Sequence, residues 1–593
     1  MRGAPAARTL RGGVGRAAPL LLLLLTAAVY CWRLGEAPIY LAPDEVIIAN
    51  DAYALATTGR ALDGTLLPLY FRAGVYGSWF MPVIYYGIAL VLQVLPFVEW
   101  AIRVPTVLAG VLSIALTYCV GRRLYGGRLA ALVGAFVLAS APAFFILSRY
   151  ALDYTWPVPF ILGWLLCLLI ALDSPRSRWW LAASGLCLGV GWYSYISSIV
   201  MMPLYAVSTA GVLLARRRDW RDGAAFIAGF ALPLTFFIAW LVQHPDAIQA
   251  TARRYGLLEG EQSATAGSML QTFDAGAMLA RYLNFFKFDF LFRLGDTYLP
   301  FSTRNTGVFV GGAGLLMAAG IFAALTTYRS AITIVVLLGF LLSPLAASIL
   351  QDEGAIRRAT GMLPFGALLA GLGAAQIVRI ARVPFFKPLA LTVAGVGVAA
   401  GVVVMARTAM TQGRISETAS LVIAIGIIAL LIAAWSARQK HGPLILLPIA
   451  LLIAMQFVTF QRGYHGEYMS RIAVWLQGNI RGALVQLMAE SDRRPEAPLY
   501  VTTLRSGRGD WDQRNLYLPS YWRFYSTKQG REDLFQKTVF IKEKDDLQAT
   551  PAGSLVLGNH EDPHFRKLLD AGAERLADIP EVDREPFFTI AVR

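Results

Sequence analysis

Two adjacent carboxylates, Asp44 and Glu45, stand directly after the first membrane-length apolar segment of the chain. Acidic groups beside a bilayer are costly to keep without a function, and a reaction at the membrane surface is one use for them. A structural interpretation stands beside this one. Pro43 suits the first position of a helix, and acids in the following turn complement the helix dipole. The dipeptide alone leaves both interpretations open.

Arginines recur near the predicted outer ends of the apolar segments. These are Arg103, Arg149, Arg357 and Arg358. Guanidinium groups at headgroup depth match phosphate oxygens through forked, charge-assisted hydrogen bonds. The alternative is that each arginine extends toward the headgroups or pairs with an acid, as Arg149 would with Asp153 one helical turn away. Together with Asp44 and Glu45, the arginines predict a site for a phosphate-headed lipid and a base.

The composition places these residues in a polytopic membrane protein. Of 593 residues, 56% are hydrophobic and 15% are charged, and the mean hydropathy is +0.54. The net charge of +15 comes from basic residues in short clusters between apolar runs, which indicates membrane topology rather than a nucleic-acid partner. The four cysteines lie in or beside apolar segments, so no disulfide framework is predicted.

About 13 apolar segments have the length of roughly 20 residues that a helix needs to cross a bilayer. They lie near 17–33, 103–121, 128–148, 154–172, 179–196, 198–215, 223–243, 306–327, 331–350, 360–379, 387–406, 418–436 and 442–460. Residues 80–98 are equally apolar, but counting them as a span would move the later arginine clusters to the outer side. We therefore expect an interfacial or re-entrant helix there.

The basic residues also predict the orientation of the chain. Arginines precede the first apolar run, which is typical of an uncleaved signal anchor with a cytosolic N-terminus in the plasma (inner) membrane. Residues 1–460 then form a transmembrane domain with outer loops at 34–102 and 244–305. Residues 461–593 form an extracytoplasmic, periplasmic α/β domain, because strand-like runs alternate with helical ones. The strand-like runs are 498–503, 538–542, 554–558 and 587–592, and the helical ones are 470–489 and 564–577.

Two further stretches bear on the site. Residues 44 to about 59 form an amphipathic pattern with Val46 and Ile47 on one face, which predicts a helix lying flat on the membrane. The tail carries an aromatic group that includes Trp511, Tyr521 and Trp522. Such side chains either stack on sugar rings of an acceptor or form the core of a small domain.

The order of these motifs resembles a known superfamily. Asp44-Glu45 is followed by Ala101-Ile-Arg-Val-Pro105, then Gly121-Arg-Arg-Leu-Tyr-Gly-Gly127, Ser148-Arg-Tyr-Ala-Leu-Asp153 and Arg357-Arg-Ala-Thr-Gly-Met-Leu-Pro364. This order resembles the GT-C glycosyltransferases that use polyprenyl-phosphate sugars. The branch with the protein O-mannosyltransferases and the lipid A aminoarabinose transferases is the most similar.

The resemblance implies specific roles. Asp44 would be the base that activates the acceptor hydroxyl, with Glu45 supporting it or binding acceptor and Asp153 in a supporting position. Arg103, Arg149, Arg357 and Arg358 would hold the donor phosphate. The aminoarabinose branch has a Glu-Lys-Pro run at the end of the first loop, whereas this chain reads Tyr70 to Trp79 there, with Arg72 as the nearest substitute for the lysine. The sugar and the acceptor (glycan, lipid or protein) therefore stay open.

The sequence predicts a membrane glycosyltransferase acting by inverting direct displacement, with the lipid-linked sugar as substrate and no required cofactor. A lipid or sugar transporter without transfer chemistry is the alternative, although repeated halves and midplane charges are not evident. A binding or scaffold protein would explain the tail but not the Asp44 and arginine set. The five histidines have no ligand spacing, so a catalytic metal is not predicted.

Overall fold

The computed structural model describes residues 14–73, 78–255, 274–349, 354–381, 442–502, 517–541, 547–559, 562–582 and 584–593. Within these ranges the helices of the first part are α1 (Val14–Cys31), α2 (Pro43–Thr58), α3 (Val83–Leu92), α4 (Glu99–Tyr125), α5 (Arg128–Ala139), α6 (Pro142–Leu147), α7 (Pro157–Asp173), α8 (Ser177–Gly191), α9 (Ser198–Ala215), α10 (Trp220–Gln243), α11 (Ala247–Arg254), α12 (Ala275–Asn284), α13 (Gly311–Thr326), α14 (Ala331–Leu342), α15 (Leu345–Ile349) and α16 (Met362–Ile380). Those of the second part are α17 (Leu447–His465), α18 (Glu467–Ala473), α19 (Ile480–Arg493), α20 (Leu518–Lys528), α21 (Glu532–Lys537) and α22 (Pro563–Asp570).

Within the described residues, seven helical segments are long and apolar enough to cross a membrane. They are Glu99–Tyr125, Asp153–Asp173, Ser198–Ala215, Trp220–Gln243, Ala331–Ile349, Met362–Ile380 and Leu444–His465. Shorter apolar helices lie at Ala17–Cys31, Val83–Leu92, Arg128–Ala139 and Gly311–Thr326. The predicted spans at 387–406 and 418–436 fall outside the described residues. The polytopic helical fold is therefore confirmed, and the division into domains at residue 460 stays a prediction.

The segment at 80–98 forms a helix of 10 residues, α3. At 1.5 Å per residue this helix is roughly 15 Å long, about half of the hydrocarbon thickness of a bilayer. Ile84, Tyr85 and Ile88 are buried against the protein, and α3 packs beside α2. Its length agrees with the expectation that this segment does not cross the membrane.

Helix α2 has the predicted bounds, and neighbouring helices pack against it. It begins at Pro43 and ends before Gly59, whose φ of 71° is a left-handed conformation that favours glycine. Its residues from Glu45 to Ala52 are all buried, because α3 and α20 pack on either side. The predicted orientation of α2 along the membrane stays a prediction, and the structure adds that a domain folded from distant sequence packs against this helix.

The C-terminal part contains a five-stranded sheet in the order β4-β3-β5-β7-β6. Its strands are β3 (Leu499–Val501), β4 (Thr538–Phe540), β5 (Leu555–Asn559), β6 (Glu574–Glu581) and β7 (Arg584–Val592). A separate two-stranded sheet in the first loop pairs β1 (Phe71–Ala73) with β2 (Ser78–Phe80). Strand β3 runs parallel to β4 and β5, and β7 is antiparallel to β5 and β6. The predicted α/β domain is confirmed.

Two predicted helices of the tail are wrong in extent. The helix predicted at 564–577 ends at Asp570, and Gly572, with φ 99°, turns the chain into β6. The helix predicted at 470–489 is interrupted at Gln477 and Gly478, which both have positive φ. A helix cannot continue through two successive left-handed residues, so the chain restarts as α19.

Hydrogen bonds and an ion pair hold the C-terminal domain against the first part of the chain. The Tyr521 hydroxyl donates to the Leu41 carbonyl at 2.7 Å, and the Asn50 amide donates to the Ser520 carbonyl at 2.8 Å. The Lys528 ammonium contacts the Glu99 carboxylate at 2.6 Å. These contacts place α20 over α2 and thereby over the acidic pair.

Candidate active site

Glu45 is fully buried and connects three segments of the chain. Its Oε1 accepts from Arg103 Nε at 2.9 Å and from the Ala151 backbone N–H at 2.8 Å. Its Oε2 accepts from Arg103 Nη2 at 3.1 Å and from the Ala42 N–H, one turn earlier, at 2.8 Å. The Glu45 carboxylate therefore ties α2 to α4 and to the segment before Asp153.

Arg103 uses all five of its N–H groups inside the protein. Besides the two bonds to Glu45, its Nη1 donates to the carbonyls of Leu34 and Pro38, both at 3.0 Å, and its Nη2 donates to the Tyr40 carbonyl at 2.9 Å. A guanidinium group has five N–H donors. This placement gives Arg103 the role of holding the first loop in shape rather than of meeting a phosphate.

Arg149 is fully buried against the end of α1. Its guanidinium donates to the backbone carbonyls of Val29, Tyr30, Arg33 and Ala37, at distances from 2.6 to 3.5 Å. A cation at a helix C-terminus satisfies carbonyls that have no partner within the helix. The expected pairing with Asp153 is not made, because these carbonyls take the guanidinium N–H groups.

Asp44 lies beside Glu45 in the first turn of α2 but faces a different space. It is partly exposed, and its charge acts on Asp153 and on the hydroxyls of Tyr85, Tyr154 and Tyr298. Adjacent helix positions point about 100° apart, which separates the two acids into different environments. Asp44 and Asp153 therefore both lie near the hydroxyls of Tyr85 and Tyr154.

Three arginines lie against aromatic rings, and two of these rings belong to tyrosines on which the charge of Asp44 also acts. Arg357 Cζ is 5.2 Å from the ring centroid of Tyr298, and Arg358 Cζ is 5.0 Å from that of Tyr255. Arg254, at the end of α11, lies 4.9 Å from the ring of Phe80, and its charge acts on Asp153 as well. The structure thus brings Arg357 and Arg358 to the site together with an arginine of the second outer loop.

Tyr255 joins these arginines to an apolar cavity. Burial raises the pKa of the Tyr255 hydroxyl, and the charges of Arg254 and Arg358 oppose this rise. The same residue lines a cavity of about 400 Å³ whose wall is mostly aromatic and aliphatic. The lining includes Tyr70, Trp79, Trp192, Phe237 and Trp240. An apolar cavity that leads to a cluster of guanidinium groups suits a lipid with an anionic head.

Sequence reasoning did not single out Arg254. It considered arginines at the ends of spans, whereas Arg254 belongs to a short helix in the second outer loop. The run Arg253-Arg254-Tyr255 in that loop was the available signal. Helix α11 packs against β2. Only this tertiary contact shows that Arg254, rather than Arg253, lies toward the site.

The remaining predicted site residues lie elsewhere. Arg72 is exposed on β1 and lines a second cavity, described below. Tyr521 and Trp522 are fully buried, and the Trp522 indole N–H donates to Thr538 Oγ1 at 2.8 Å. The expectation that these two rings bind acceptor is wrong, because a sugar has no access to them. Trp511 lies outside the described residues.

Within the described ranges, no group of three His, Cys, Asp or Glu residues is placed to hold a metal ion. The site as described consists of carboxylates, phenols and guanidinium groups. Its chemistry is that of proton transfer and of binding a phosphate.

Asp51, in α2, is a buried carboxyl whose pKa is raised, and this makes the stability of the protein depend on pH. Burial raises the pKa of its carboxyl from 3.8 to about 6; the Leu62 N–H opposes the rise, Asp63 adds to it and Arg523 opposes it. Tyr85 also faces this carboxyl. A raised pKa means that Asp51 contributes stability fully below about pH 4 and loses it as the pH rises through about 6.

We therefore expect Asp51→Asn to unfold at a higher temperature than the wild type above about pH 6. The gain in the free energy of unfolding is on the order of 3 kcal/mol at neutral pH, because each pKa unit corresponds to about 1.4 kcal/mol. Asparagine keeps the oxygen that accepts from Leu62. Thermal unfolding from about pH 4 to 8 measures the effect, and parallel pH profiles for the two proteins would contradict it.

Comparison with known proteins agrees with this architecture. The family model described as dolichyl-phosphate-mannose-protein mannosyltransferase matches residues 81–242. No curated protein matches the sequence significantly. The match covers α3 to α10, the part of the chain that carries Arg103, Arg149 and Asp153.

Among solved structures, the fold is similar to that of ArnT from Cupriavidus metallidurans. The apo structure aligns with a TM-score of 0.52 at 15% identity, over 96% of this chain and 97% of that chain. The structure of the same protein bound to undecaprenyl phosphate aligns with a TM-score of 0.53 at 15% identity, over 97% and 98%. The predicted GT-C fold is confirmed by this similarity.

Proposed function

From this fold and site, we propose that the chain is a membrane glycosyltransferase that moves a sugar from a polyprenyl-phosphate donor to an acceptor hydroxyl. The reaction would take place at the outer face of the plasma membrane, with inversion at the sugar carbon. One observation carries the proposal: Arg357 lies against Tyr298 and Arg358 against Tyr255, the charges of Asp44 and Arg254 act there too, and Tyr255 also lines the aromatic cavity.

The cavity and the arginines would bind different parts of the donor. The polyprenyl chain would lie along the indoles of Trp79, Trp192 and Trp240, and its phosphate would meet Arg254 and Arg358 near Tyr255. ArnT, which has the same fold, has been solved with undecaprenyl phosphate, and this supports a lipid phosphate of that kind for this chain. Guanidinium groups stabilise the charge that develops on the departing phosphate.

Asp44 would serve as the base on the acceptor. As the acceptor oxygen attacks the anomeric carbon, its proton passes to the Asp44 carboxylate and the bond from that carbon to the phosphate oxygen breaks. The polyprenyl phosphate leaves with the bonding electrons, so attack from the opposite side inverts the carbon. The step needs no redox cofactor, since no atom changes oxidation state.

A transporter of the lipid-linked sugar is the competing function from the sequence. Transport requires binding of the lipid but not a base, so the two functions differ in their dependence on Asp44. A reconstituted transfer assay with a polyprenyl-phosphate sugar therefore tests the proposal directly. Release of free polyprenyl phosphate together with a glycosylated acceptor is expected from the wild type, and movement of an intact donor across the membrane would contradict it.

The arginines provide a prediction on donor affinity. Arg254→Ala and Arg358→Ala should each weaken binding of undecaprenyl phosphate about tenfold or more, because a hydrogen bond to a charged group contributes about 1.5–3 kcal/mol. Lysine at either position should restore little, since it keeps the charge but loses the fork. Native mass spectrometry in detergent, with increasing lipid, gives the dissociation constants.

Arg253→Ala is the matched control, because Arg253 is the exposed neighbour of Arg254 on the same helix. We expect its affinity for the lipid to equal that of the wild type. If Arg254→Ala and Arg358→Ala also bound undecaprenyl phosphate like the wild type, the phosphate would have to lie elsewhere.

A further inference from the structure

We propose that a second cavity, between the first outer loop and the C-terminal domain, binds a neutral sugar residue of the acceptor. The acceptor of the transferase would then be a glycan rather than a peptide or a simple lipid. This inference rests on the proposed function for its biological meaning. Its structural basis, a cavity that contains four charged side chains and adjoins the helix that carries Asp44, is independent of the donor site.

The second cavity has a volume of about 310 Å³ and lies where α2, residues 61–72 and α20 meet. Its lining includes Ile47 and Asp51 from α2, Arg72 from β1 and Arg523 from α20. Among the described residues it has no lining residue in common with the aromatic cavity. The two cavities could therefore hold two different substrates at the same time.

Among the described residues that line the second cavity, the charges are balanced. Asp51 and Asp63 contribute two carboxylates, and Arg72 and Arg523 contribute two guanidinium groups. A cavity with equal numbers of both charges favours neither an anion nor a cation. It offers hydrogen-bond acceptors and donors side by side, and this combination suits hydroxyl groups, which donate and accept at once.

The hydrogen bonds around the cavity leave capacity for a ligand. Asp51 is 8% exposed and one of its oxygens accepts from the Leu62 N–H at 2.9 Å, while one oxygen of Asp63 accepts from the Thr65 N–H at 2.9 Å. The second oxygen of each carboxylate takes no hydrogen bond from the described residues. Asp51 is buried and Asp63 is exposed, and each carboxylate can accept a further hydrogen bond from a sugar hydroxyl in the cavity.

Arg523 is held in a position to donate. Its Cζ lies 4.5 Å from the ring centroid of Phe535, so the aromatic ring supports one face of the guanidinium. Stacking occupies the face of the group and leaves the N–H groups at its edge for hydrogen bonds in the plane. Phe535 also lines the cavity and offers an apolar surface to the C–H groups of a sugar ring.

The cavity is aligned with the proposed base. Asp44, Ile47 and Asp51 occupy positions i, i+3 and i+7 of α2, which lie on one face of the helix. Asp44 and Asp51 are roughly 10 Å apart along the helix axis, and both charges act on the hydroxyl of Tyr85. A glycan with one sugar in the cavity would thus extend along α2 and present a neighbouring hydroxyl to Asp44.

The inference also explains why the C-terminal domain is fastened over the first loop. Arg523 and Phe535 reach the cavity only because the bonds from Asn50 to Ser520 and from Tyr521 to Leu41 hold α20 against α2. The domain that is distant in sequence thereby supplies part of the acceptor site.

Sugar binding to the full-length protein in nanodiscs tests this inference without any turnover. The probes are three neutral trisaccharides, maltotriose, mannotriose and chitotriose, together with a serine- and threonine-containing peptide. Saturation-transfer NMR gives their dissociation constants. We expect at least one trisaccharide to bind the wild type, and Arg72→Ala and Arg523→Ala each to weaken it about tenfold.

Two controls separate this result from misfolding and from the donor site. Lys567→Ala removes an exposed positive charge elsewhere on the same domain and should leave trisaccharide binding unchanged. Undecaprenyl phosphate should bind all three variants with the affinity of the wild type, since the cavities are separate. An unchanged melting temperature shows that each variant is folded.

The outcomes decide the inference. It is overturned if none of the trisaccharides binds the wild type, if the Arg72→Ala, Arg523→Ala double variant binds them equally well, or if only the peptide binds and the arginine variants abolish that binding. Failure of the transfer assay with intact sugar binding would instead count against the proposed function and leave the sugar site in place.

Discussion

Asp44→Asn is expected to reduce the rate of sugar transfer by about 10²- to 10⁴-fold, the usual effect of losing a general base. Asparagine has the size of aspartate but cannot take the proton of the acceptor hydroxyl. Because Asp44 is partly exposed and the buried ion pair of α2 is made by Glu45, the fold should persist. The affinity for undecaprenyl phosphate should also stay within about twofold of the wild type, since the proposed role of Asp44 is on the acceptor.

The measurement is the rate of release of polyprenyl phosphate at saturating donor, with the melting temperature of the same sample. Glu36→Gln is the matched control, because Glu36 is an exposed acid of the same loop that pairs with exposed Arg33. It should transfer sugar at the wild-type rate. A folded Asp44→Asn protein with near wild-type transfer would remove Asp44 from the mechanism.

Glu45→Gln should have the opposite profile, with a loss of about 3–5 kcal/mol in the free energy of unfolding. Glu45 and Arg103 form a buried pair with 0% and 1% side-chain exposure. Removing one charge leaves the other buried without compensation, which is strongly destabilising. The same Glu36→Gln control breaks an exposed pair at 2.6 Å and should cost about 0–1 kcal/mol. Thermal unfolding in nanodiscs measures both.

A double variant checks that the pair itself is the cause. Replacing both partners, as Glu45→Leu with Arg103→Met, removes the unpaired charge along with its partner, and such replacements are often neutral or stabilising. We expect the double variant to recover much of the stability lost by Glu45→Gln, less the cost of leaving the carbonyls of Leu34 and Pro38 without a donor. Equal stability of Glu45→Gln and the wild type would assign Glu45 a different role.

The sequence was sufficient for the fold and for part of the site. Apolar length and arginine clusters are local properties, and they predicted the membrane helices, the short helix at α3 and four strands of the C-terminal sheet. The order of motifs led to the fold that the solved structures share. Residue type and position predict Asp44, Arg357 and Arg358, and the charges of these three act on the neighbouring hydroxyls of Tyr255 and Tyr298.

What the sequence could not supply is the partner of each side chain. All four arginines lie near predicted outer ends of apolar segments. The N–H groups of Arg103 and Arg149, however, donate to Glu45 and to backbone carbonyls. Those acceptors come from residues 29–45, more than 50 positions away in the chain. Pairing over such separations is decided by the packing of helices, and no local pattern encodes it.

The same limit applies to the C-terminal aromatic residues. Tyr521 and Trp522 look like a sugar-binding group in sequence, but α20 packs against α2 and buries both rings. Their neighbour Arg523 lies on the side of α20 that lines the second cavity. One helical position thus separates a core residue from a candidate ligand-binding residue.

The most direct test of the central claim is a single-turnover experiment followed by native mass spectrometry. Wild-type protein and Asp44→Asn are each loaded with undecaprenyl-phosphate sugar, mixed with the best-binding trisaccharide and sampled over time. For the wild type we predict that bound donor is replaced by undecaprenyl phosphate while the trisaccharide gains the mass of one sugar. For Asp44→Asn we predict that the intact donor stays bound. Equal rates of sugar transfer by both proteins would contradict the claim that Asp44 is the base.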